Sequence, residues 1–332
     1  MKDLSIALVN WNTKELLEQC LDSVYRTAGD LQLEIIVVDN ASEDGSSDLV
    51  AEKHPNVTLV RNKVNMGFAA GVNIAFEHST APYFLLLNTD TIVLEGALQG
   101  MAWFMEAHAD AGAVGCRLVN CDGTLQRSCS RFPSPMTELF DALYLSKLFP
   151  RSRLFGCYSM SWWEFDDVRE VDFAGGSCLM VRRQTIQEIG LMDEGYFMYA
   201  EEADWCYRMW QRGWGVYYFP GAEVIHLGGQ SAEKFGSDVL LHLYASRYRF
   251  VRKHYGRTSG AALRGIIGLG ALVRWSAYSV GSMVGRFWKG SPTPSPTMID
   301  RIGFHWKLMK WALCGRLECQ PRIPASQSGD TS

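Results

Sequence analysis

Residues 83–93 read YFLLLNTDTIV, and the way this stretch is understood decides the fold. Phe84, Leu85, Leu86 and Leu87 make a short run without a polar residue, which predicts a strand buried on both faces. The run empties directly into Asn88, Thr89, Asp90 and Thr91. A polar exit of this kind suits a plain turn as well as a site. In an open parallel sheet, however, ligands gather beyond the carboxyl ends of the strands, so Asp90 is a candidate metal or phosphate-side ligand.

The same rhythm runs upstream. Ser5 to Val9 is an apolar run ending at Asn10, Trp11 and Asn12. Asn12 and Glu15 have capping-box spacing, and Leu16, Leu17, Cys20, Leu21 and Val24 recur at helical spacing. Glu34 to Val38 is β-branched and ends in Asp39 and Asn40; the turn SEDGSS then opens a helix through Leu49 and Val50. Val57 to Val60 leads into Asn65, Gly67, Phe68 and an alanine-rich helix through Ala75. Strands alternating with helices predict an α/β fold with a parallel, doubly wound sheet.

The four strand ends supply Asn10 and Asn12, Asp39 and Asn40, Arg61 and Asn65, and Asn88 and Asp90. Taken singly, each is equally a helix cap or a turn residue. All four lie on one edge of such a sheet, where they form a polar crescent suited to a nucleotide with a metal-bound diphosphate. Asp39 can accept from a base N–H or a ribose hydroxyl, while Asn10 and Asn65 can donate and accept. Gly67 and Gly71 allow close approach of backbone to a ligand at a helix start. A hard cation, Mg2+ or Mn2+, would take Asp90 together with diphosphate oxygens and waters. Neither a P-loop nor a dinucleotide fingerprint is present.

A second constellation lies further on. Phe173 to Val181 reads as a strand interrupted by Gly175 and Gly176, and Arg182 to Ile189 as a short helix. Glu201, Glu202 and Asp204 open another helix, with Cys206, Met209 and Trp210 toward the core and Gly213 as its stop. Acids at a helix start are favourable against the macrodipole in any case. Val216 to Phe219 and Val224 to His226 read as two strands, the second presenting His226 just before Gly228 and Gly229. A histidine there suits a structural role as well as an open site.

The chain has 332 residues, 47% hydrophobic and 20% charged, which excludes a disordered or collagen-like protein. A net charge of -4 gives no general attraction to nucleic acid. Nine scattered cysteines read as reduced thiols in a cytosolic setting. The opening MKDLSIALVNWNTKE lacks the pattern of a signal peptide, so a cytoplasmic location is expected. The longest apolar stretch, Ala261 to Val284, is broken by Arg274 and is not a membrane span.

Between Cys121 and Glu170 aromatic residues are dense, among them Phe140, Tyr144, Tyr158, Trp163 and Phe165. They read as loop anchors, with some available as an acceptor platform. Beyond His254 basic residues dominate: Arg257, Arg264, Arg274, Arg286, Lys289, Arg301, Lys307, Lys310, Arg316 and Arg322 against Asp300 and Glu318. On a helix Arg264, Arg274 and Arg286 fall within an arc of roughly 120°. Residues 256–318 are therefore expected to form basic amphipathic helices on the cytoplasmic face of the inner membrane, aided by Trp275, Trp288, Trp306 and Trp311. A helix pair packed on the preceding domain is the alternative. SPTPSPT is a stiff linker and 319–332 a disordered tail.

Six blocks occur in order: VVDNASEDGS, NMGFAAGVN, FLLLNTDT, FAGGSCLMVRR, IGLMDEGYFMYAEEADWCYRMWQRGW and VIHLGGQS. In these blocks the chain resembles the family 2 glycosyltransferases, rhamnosyltransferase-like branch, over about Leu4 to Ser231. The resemblance implies a GT-A fold in residues 1–255, with a nucleotide-binding half in 1–115 and an acceptor and catalytic half in 116–255. It also implies a nucleotide-sugar donor, best dTDP-rhamnose, a divalent cation, inversion at the anomeric carbon, and a lipid-linked or growing cell-surface glycan as acceptor.

The family's Asp-x-Asp loop corresponds to Asn88-Thr89-Asp90, so Asp90 matches the second acid and Asn88 replaces the first. The family's base, the aspartate of a Glu-Asp pair, corresponds to Glu202, beside Glu201 and with Asp204 as fallback. His226 matches a histidine that completes the metal site, and Asp39 the acid that reads the nucleoside. The implied donor side comprises Asn10, Asn12, Asp39, Asn40, Asn65, Gly67, Phe68, Asn88, Gly175 and Gly176. A sugar nucleotidyltransferase would want a glycine-rich basic loop after the first strand, which Val9-Asn10-Trp11-Asn12 is not. A non-catalytic saccharide- or nucleotide-binding protein of the same fold stays open because of Asn88 and Glu202.

Overall fold

A computed structural model of the chain describes residues 2–228, 238–289 and 296–314. Gly229, Ser231, the linker at 291–295, Arg316, Glu318, Arg322 and the 319–332 tail lie outside the described residues, as do the side chains of Arg286, Trp288 and Lys289.

The first half follows the alternation expected from its apolar runs. β1 (Leu4–Asn10), α1 (Lys14–Thr27), β2 (Leu33–Asp39), α2 (Ser46–Lys53), β3 (Thr58–Arg61), α3 (Phe68–Glu77) and β4 (Tyr83–Leu87) succeed one another. The strands pair in parallel in the order β3-β2-β1-β4. Alternate residues face opposite layers. Ala7, Ile36, Val38, Phe84 and Leu86 pack with Ala69, Val72 and Ala75 of α3. Leu4, Ile6, Leu8, Leu85 and Leu87 pack with Leu17, Leu21 and Val24 of α1. Burial on both faces explains why these strands are continuously apolar.

The chain continues through β5 (Thr91–Val93), α4 (Ala97–Ala107), β6 (Ala111–Val119), β7 (Leu125–Gln126), β8 (Cys129–Ser130), α5 (Pro135–Ala142), α6 (Leu145–Leu148), β9 (Arg169–Glu170), β10 (Phe173–Ala174), β11 (Cys178–Arg182), α7 (Arg183–Ile189), α8 (Glu201–Gln211) and β12 (Gly215–His226). The sheet extends from β4 in the order β11-β6-β12-β5. β12 is parallel to β6, whereas β11 and β5 run against their neighbours, as do the short β7 and β9 that pair with β6 and β12 off this path, giving a mostly parallel central sheet with four reversed strands. The C-terminal helices are α9 (Asp238–Lys289), broken at Gly256 with φ 89°, and α10 (Pro296–Cys314).

Several local expectations differ from the structure. The residues read as two strands around Pro220 form the single strand β12, because an irregularity between Phe219 and Glu223 absorbs the intervening turn without ending the pairing with β6. The strand expected over Phe173 to Val181 breaks at the Gly175-Gly176 interruption as read, but its two parts lie in different sheets, β10 paired to β8 in a two-stranded sheet and β11 in the main one. No capping box forms at Asn12: Thr13 precedes α1 without a side-chain cap, and Asn12 Oδ1 accepts from the Glu43 N–H at 2.7 Å instead. Trp210 is 59% exposed rather than core-facing, and Trp205 takes the buried position on α8.

The basic arc is also used differently from the expectation. Arg264 donates to the carbonyls of Ala312 (2.5 Å) and Leu313 (2.8 Å) at the end of α10. Arg274 donates to Asp141 O (2.9 Å) and Tyr144 Oη (3.2 Å) beyond the end of α5. Helix C-termini leave carbonyls unsatisfied and carry partial negative charge, so these two guanidiniums cap helices within the molecule and are not turned to a lipid surface. Among the described residues no helix is long and apolar enough to cross a membrane, and the cysteines are free thiols.

Gly67 joins the two halves at the future site. Its φ of 90° is outside the range L side chains adopt readily, and a Cβ there would lie 2.7 Å from the Phe197 carbonyl oxygen. Gly67→Ala is expected to destabilise the protein by about 1–3 kcal/mol. A shift of the urea midpoint at unchanged m-value measures it, and an unchanged midpoint contradicts this role.

Candidate active site

β1 lies between β2 and β4, so the chain crosses from one side of β1 to the other there, and the crevice at their carboxyl ends is the topological switch point. A cavity of about 280 Å3 occupies it. Val9 and Trp11 from the β1 exit, Asn40 from β2, Asn65, Gly67 and Phe68 from the start of α3, and Asn88 to Asp90 from β4 all line it.

Antiparallel pairing brings in the second half. Because Cys178 pairs with Leu87, the residues before β11 lie beside those after β4. The Asn88 N–H donates to Ser177 O at 3.0 Å and its side-chain amide to Ser177 Oγ at 3.3 Å. Gly175, Gly176 and Ser177 thereby join the cavity wall. His226 pairs with Thr91, the Leu227 N–H donates to Asp90 O at 2.9 Å, and His226 Nε2 lies 3.3 Å from Asp90 Oδ1. On its other side His226 Nδ1 contacts Gln126 Oε1 of β7 at 2.5 Å. An Nδ1–H donated to this amide oxygen leaves the Nε2 lone pair toward Asp90 and the cavity. Gln126 is a positioning residue the sequence did not single out, since only the fold brings it within reach of a histidine one hundred positions away.

Glu201 and Glu202 reach the cavity from the start of α8. Tyr199 and Ala200 before them have φ of 70° and 63°, a left-handed corner that is costly for residues with a Cβ. Contacts on both flanks hold it: the Phe68 N–H donates to Phe197 O at 3.0 Å, and Ser246 Oγ to Met198 O at 2.9 Å. Burial pushes the Glu202 carboxyl up to about 7. Burial, and then the neighbouring Glu202 charge, pushes Glu201 well above the usual carboxyl range, and Glu201 Oε2 has no hydrogen-bond partner among the described residues.

Asp204, two residues on, is about 200° around the helix and points away from the cavity. It is fully buried and accepts from Arg208 Nε (3.0 Å), Lys253 Nζ (2.6 Å), His254 Nε2 (2.8 Å) and Tyr196 Oη (3.3 Å). Burial alone would raise its carboxyl, but hydrogen bonds from His254 and Lys253 and the charge of Arg208 outweigh it and hold the group well below the usual range. The fallback base is thus an ion-pair anchor between α8 and α9.

Asn10, Asn12 and Asp39 do not line the cavity. Asp39 accepts from Asn10 Nδ2 at 2.8 Å and the Ser42 N–H at 3.0 Å. Asn10 Oδ1 accepts from Thr13 Oγ1 at 2.7 Å, and Thr13 meets Thr89 Oγ1 at 2.8 Å. These groups tie the β1, β2 and β4 loops together beneath the lining.

A second cavity of about 270 Å3 adjoins the first. Gln126, Arg127, Ser128, Tyr158, Leu243 and Arg247 are among its lining residues, and Gly175, Ser177, Tyr199, Glu202 and His226 line both cavities. Of the aromatic cluster Tyr158 reaches this space, whereas Phe140, Trp163 and Phe165 are buried anchors.

Among the described residues no group of three or more His, Cys, Asp or Glu side chains is placed to hold a metal ion. The pair Asp90 and His226 nevertheless fits a cation that takes its remaining ligands from diphosphate oxygens and waters, because such ions need few protein ligands. Asn88, with an amide where a second acid would strengthen that hold, lies on the same wall.

The family described as Glycosyl transferase family 2 matches residues 5–172. The N-acetylglucosaminyl-diphospho-decaprenol L-rhamnosyltransferase of Mycobacterium tuberculosis is 29% identical over 79% of this chain and 88% of its own length. The low-salt glycan biosynthesis hexosyltransferase Agl10 of Haloferax volcanii is 24% identical over 73% of each chain. The mannosyltransferase of Pyrobaculum calidifontis, solved in complex with GDP-Man and Mn2+, superposes with a TM-score of 0.56 at 17% identity, covering 95% of this chain and 88% of that one. The fold is GT-A.

The Asp204 cluster generates a stability prediction. A carboxyl whose folded pKa is depressed contributes stability above its unfolded value, near 3.8, and loses it as pH falls through the folded value. Asp204→Asn is therefore expected to cost about 3–5 kcal/mol at pH 7. The deficit should shrink below about pH 4 in denaturation curves taken against pH; a deficit independent of pH contradicts the ion-pair assignment.

Proposed function

The chain belongs to glycosyl transferase family 2, and on that premise we propose that it transfers a sugar, with inversion, from a nucleotide-sugar donor in the first cavity to a glycan acceptor in the second. The observation that carries this reading is the position of Glu202 on the wall common to both cavities. A base for a single displacement must meet the acceptor hydroxyl on the side of the anomeric carbon opposite the leaving group.

In the proposed reaction the acceptor oxygen attacks C1 while its proton passes to the Glu202 carboxylate, and the bond from C1 to the diphosphate oxygen breaks with its electrons remaining on the nucleoside diphosphate. Asn88, Asp90 and His226 face the diphosphate; a divalent cation on Asp90 and His226 would neutralise charge on the departing group. Gly176 keeps the passage narrow but open, since a Cβ there would come within 3.4 Å of the Phe68 ring and 4.0 Å of Glu202 Cβ. Glu201, beside the base and held protonated by burial, is proposed to present a neutral carboxyl to the donor.

The name of the Mycobacterium tuberculosis relative supports rhamnose as the transferred sugar and a lipid-linked glycan as acceptor, and dTDP-rhamnose is the donor proposed here. Such an acceptor requires a bilayer within reach. Leu269, Leu272, Val273 and Val280 on α9 are exposed, as are Leu143, Leu148 and Phe149 around α6, and Arg274 ties the two regions together. Exposed apolar area of this kind supports an interfacial position on a membrane, proposed here to be its cytoplasmic face, better than the Arg264 and Arg274 charges do.

Incubation with a panel of nucleotide sugars, Mg2+ or Mn2+ and a lipid extract tests the proposal through release of nucleoside diphosphate. Release from one donor, lost on chelation, is expected. Its rate should rise as pH passes through about 7 and then level, because the ionised form of Glu202 is the active one. Glu202→Gln should lower turnover by about 10²–10⁴ while leaving donor binding intact. Nucleotide binding without release from any donor would instead identify a non-catalytic binding protein.

A further inference from the structure

The second cavity has an electrostatic feature that a neutral sugar does not require. Arg247 of α9 is set into its wall with a side chain only 14% exposed. Nη1 donates to Glu138 Oε2 of α5 at 3.1 Å, and the guanidinium lies 4.5 Å from the centroid of the Tyr158 ring. Its Nε, however, is buried without a hydrogen-bond partner among the described residues. A buried donor left unsatisfied costs about 1–3 kcal/mol, so a site that keeps one gains when a ligand brings an acceptor.

Arg127 adds a second guanidinium at the same wall, exposed and without an ion pair to any described residue. Glu138 stands behind Arg247 and does not line the cavity, so among the described residues the wall presents two guanidiniums against the single carboxylate of Glu202. Ser128, Ser130 and Gln126 supply further polar groups, and Leu118, Pro133 and Leu243 an apolar remainder. Guanidinium forks match the oxygens of phosphate groups in geometry as well as in charge.

Resting on the transferase reading above, we propose that Arg247 and Arg127 form an anion subsite for a phosphate or diphosphate ester carried by the acceptor. An acceptor fixed there by its charged linkage presents the hydroxyl of the attached sugar toward Glu202, at the boundary with the donor cavity. The site thus selects sugars attached through phosphate over the same sugars attached through a plain glycosidic bond.

The test is titration calorimetry with decyl diphosphate in the presence of EDTA, which removes cation-dependent diphosphate binding on the donor side. Wild-type protein is expected to bind. Arg127→Ala should weaken binding fivefold or more, and Arg247→Lys tenfold or more, because lysine keeps the charge but loses the fork. Affinity for a nucleoside diphosphate with Mn2+ reports that each variant is folded, and the exposed position of Arg127 makes its variant informative even if the Arg247 variant fails to fold. Inorganic pyrophosphate should displace decyl diphosphate, showing that the anion is read and not the chain. Absence of binding to the wild type, equal binding by Arg127→Ala, or failure of pyrophosphate to compete overturns the proposal. None of these readouts depends on donor turnover, so failure here and failure of the transferase reading are distinguishable.

Discussion

The reversed strand β11, wedged between β4 and β6, is the constraint from which the site follows. Pairing Cys178 with Leu87 puts the start of one strand beside the end of the other, so the backbone bond from Asn88 to Ser177 closes the wall of the first cavity without any side chain having to reach across. The approach is tight: a Cβ on Gly115 would lie 2.6 Å from Ala174 Cβ, which leaves no room for a larger residue beneath the Gly175-Gly176 passage. From β11 the chain runs through α7 to the corner at Tyr199 and Ala200, and that corner delivers Glu202 to the gap between the cavities. One strand direction thus links the proposed diphosphate side to the proposed base.

Two carboxylates on one helix show how environment divides roles. Glu202 is half-buried with its own backbone N–H as donor, whereas Asp204 is fully buried with cations and hydrogen-bond donors around it. Burial without compensation raises the first toward neutrality, while the donors of α8 and α9 fix the second as an anion. The same ion cluster that removes Asp204 from chemistry anchors α8, and with it the position of Glu202. Arg249 and Lys253, both bonded to Asp193, extend that anchor to the loop before α8.

Much of the first half of the chain was legible because its evidence is local. Apolar runs such as Phe84 to Leu87 declare doubly buried strands, and strand direction in a parallel sheet sends Asn40, Asn65, Asn88 and Asp90 to one edge. What depended on distant partners was not legible. The sequence around Asp204 looks like an acidic helix start, and nothing in it announces His254 fifty positions later. Arg264 and Arg274 look like a basic stripe, but their acceptors are carbonyls of helix ends that periodicity does not locate. Asn10 and Asp39 are polar and correctly placed at strand ends, yet they spend their hydrogen bonds on each other. The second cavity draws on β7, β10, α8 and α9, so it exists only once the fold does.

The central claim is that donor and acceptor meet at Glu202. A crystal structure with a donor nucleotide sugar and Mn2+, using anomalous scattering to place the metal, addresses it most directly. The account predicts the ion about 2.1 Å from Asp90 and His226, the diphosphate against Asn88, and the anomeric carbon turned toward Glu202 across the Gly175-Gly176 passage. A metal bound away from that pair, or an anomeric carbon facing away from Glu202, would contradict it.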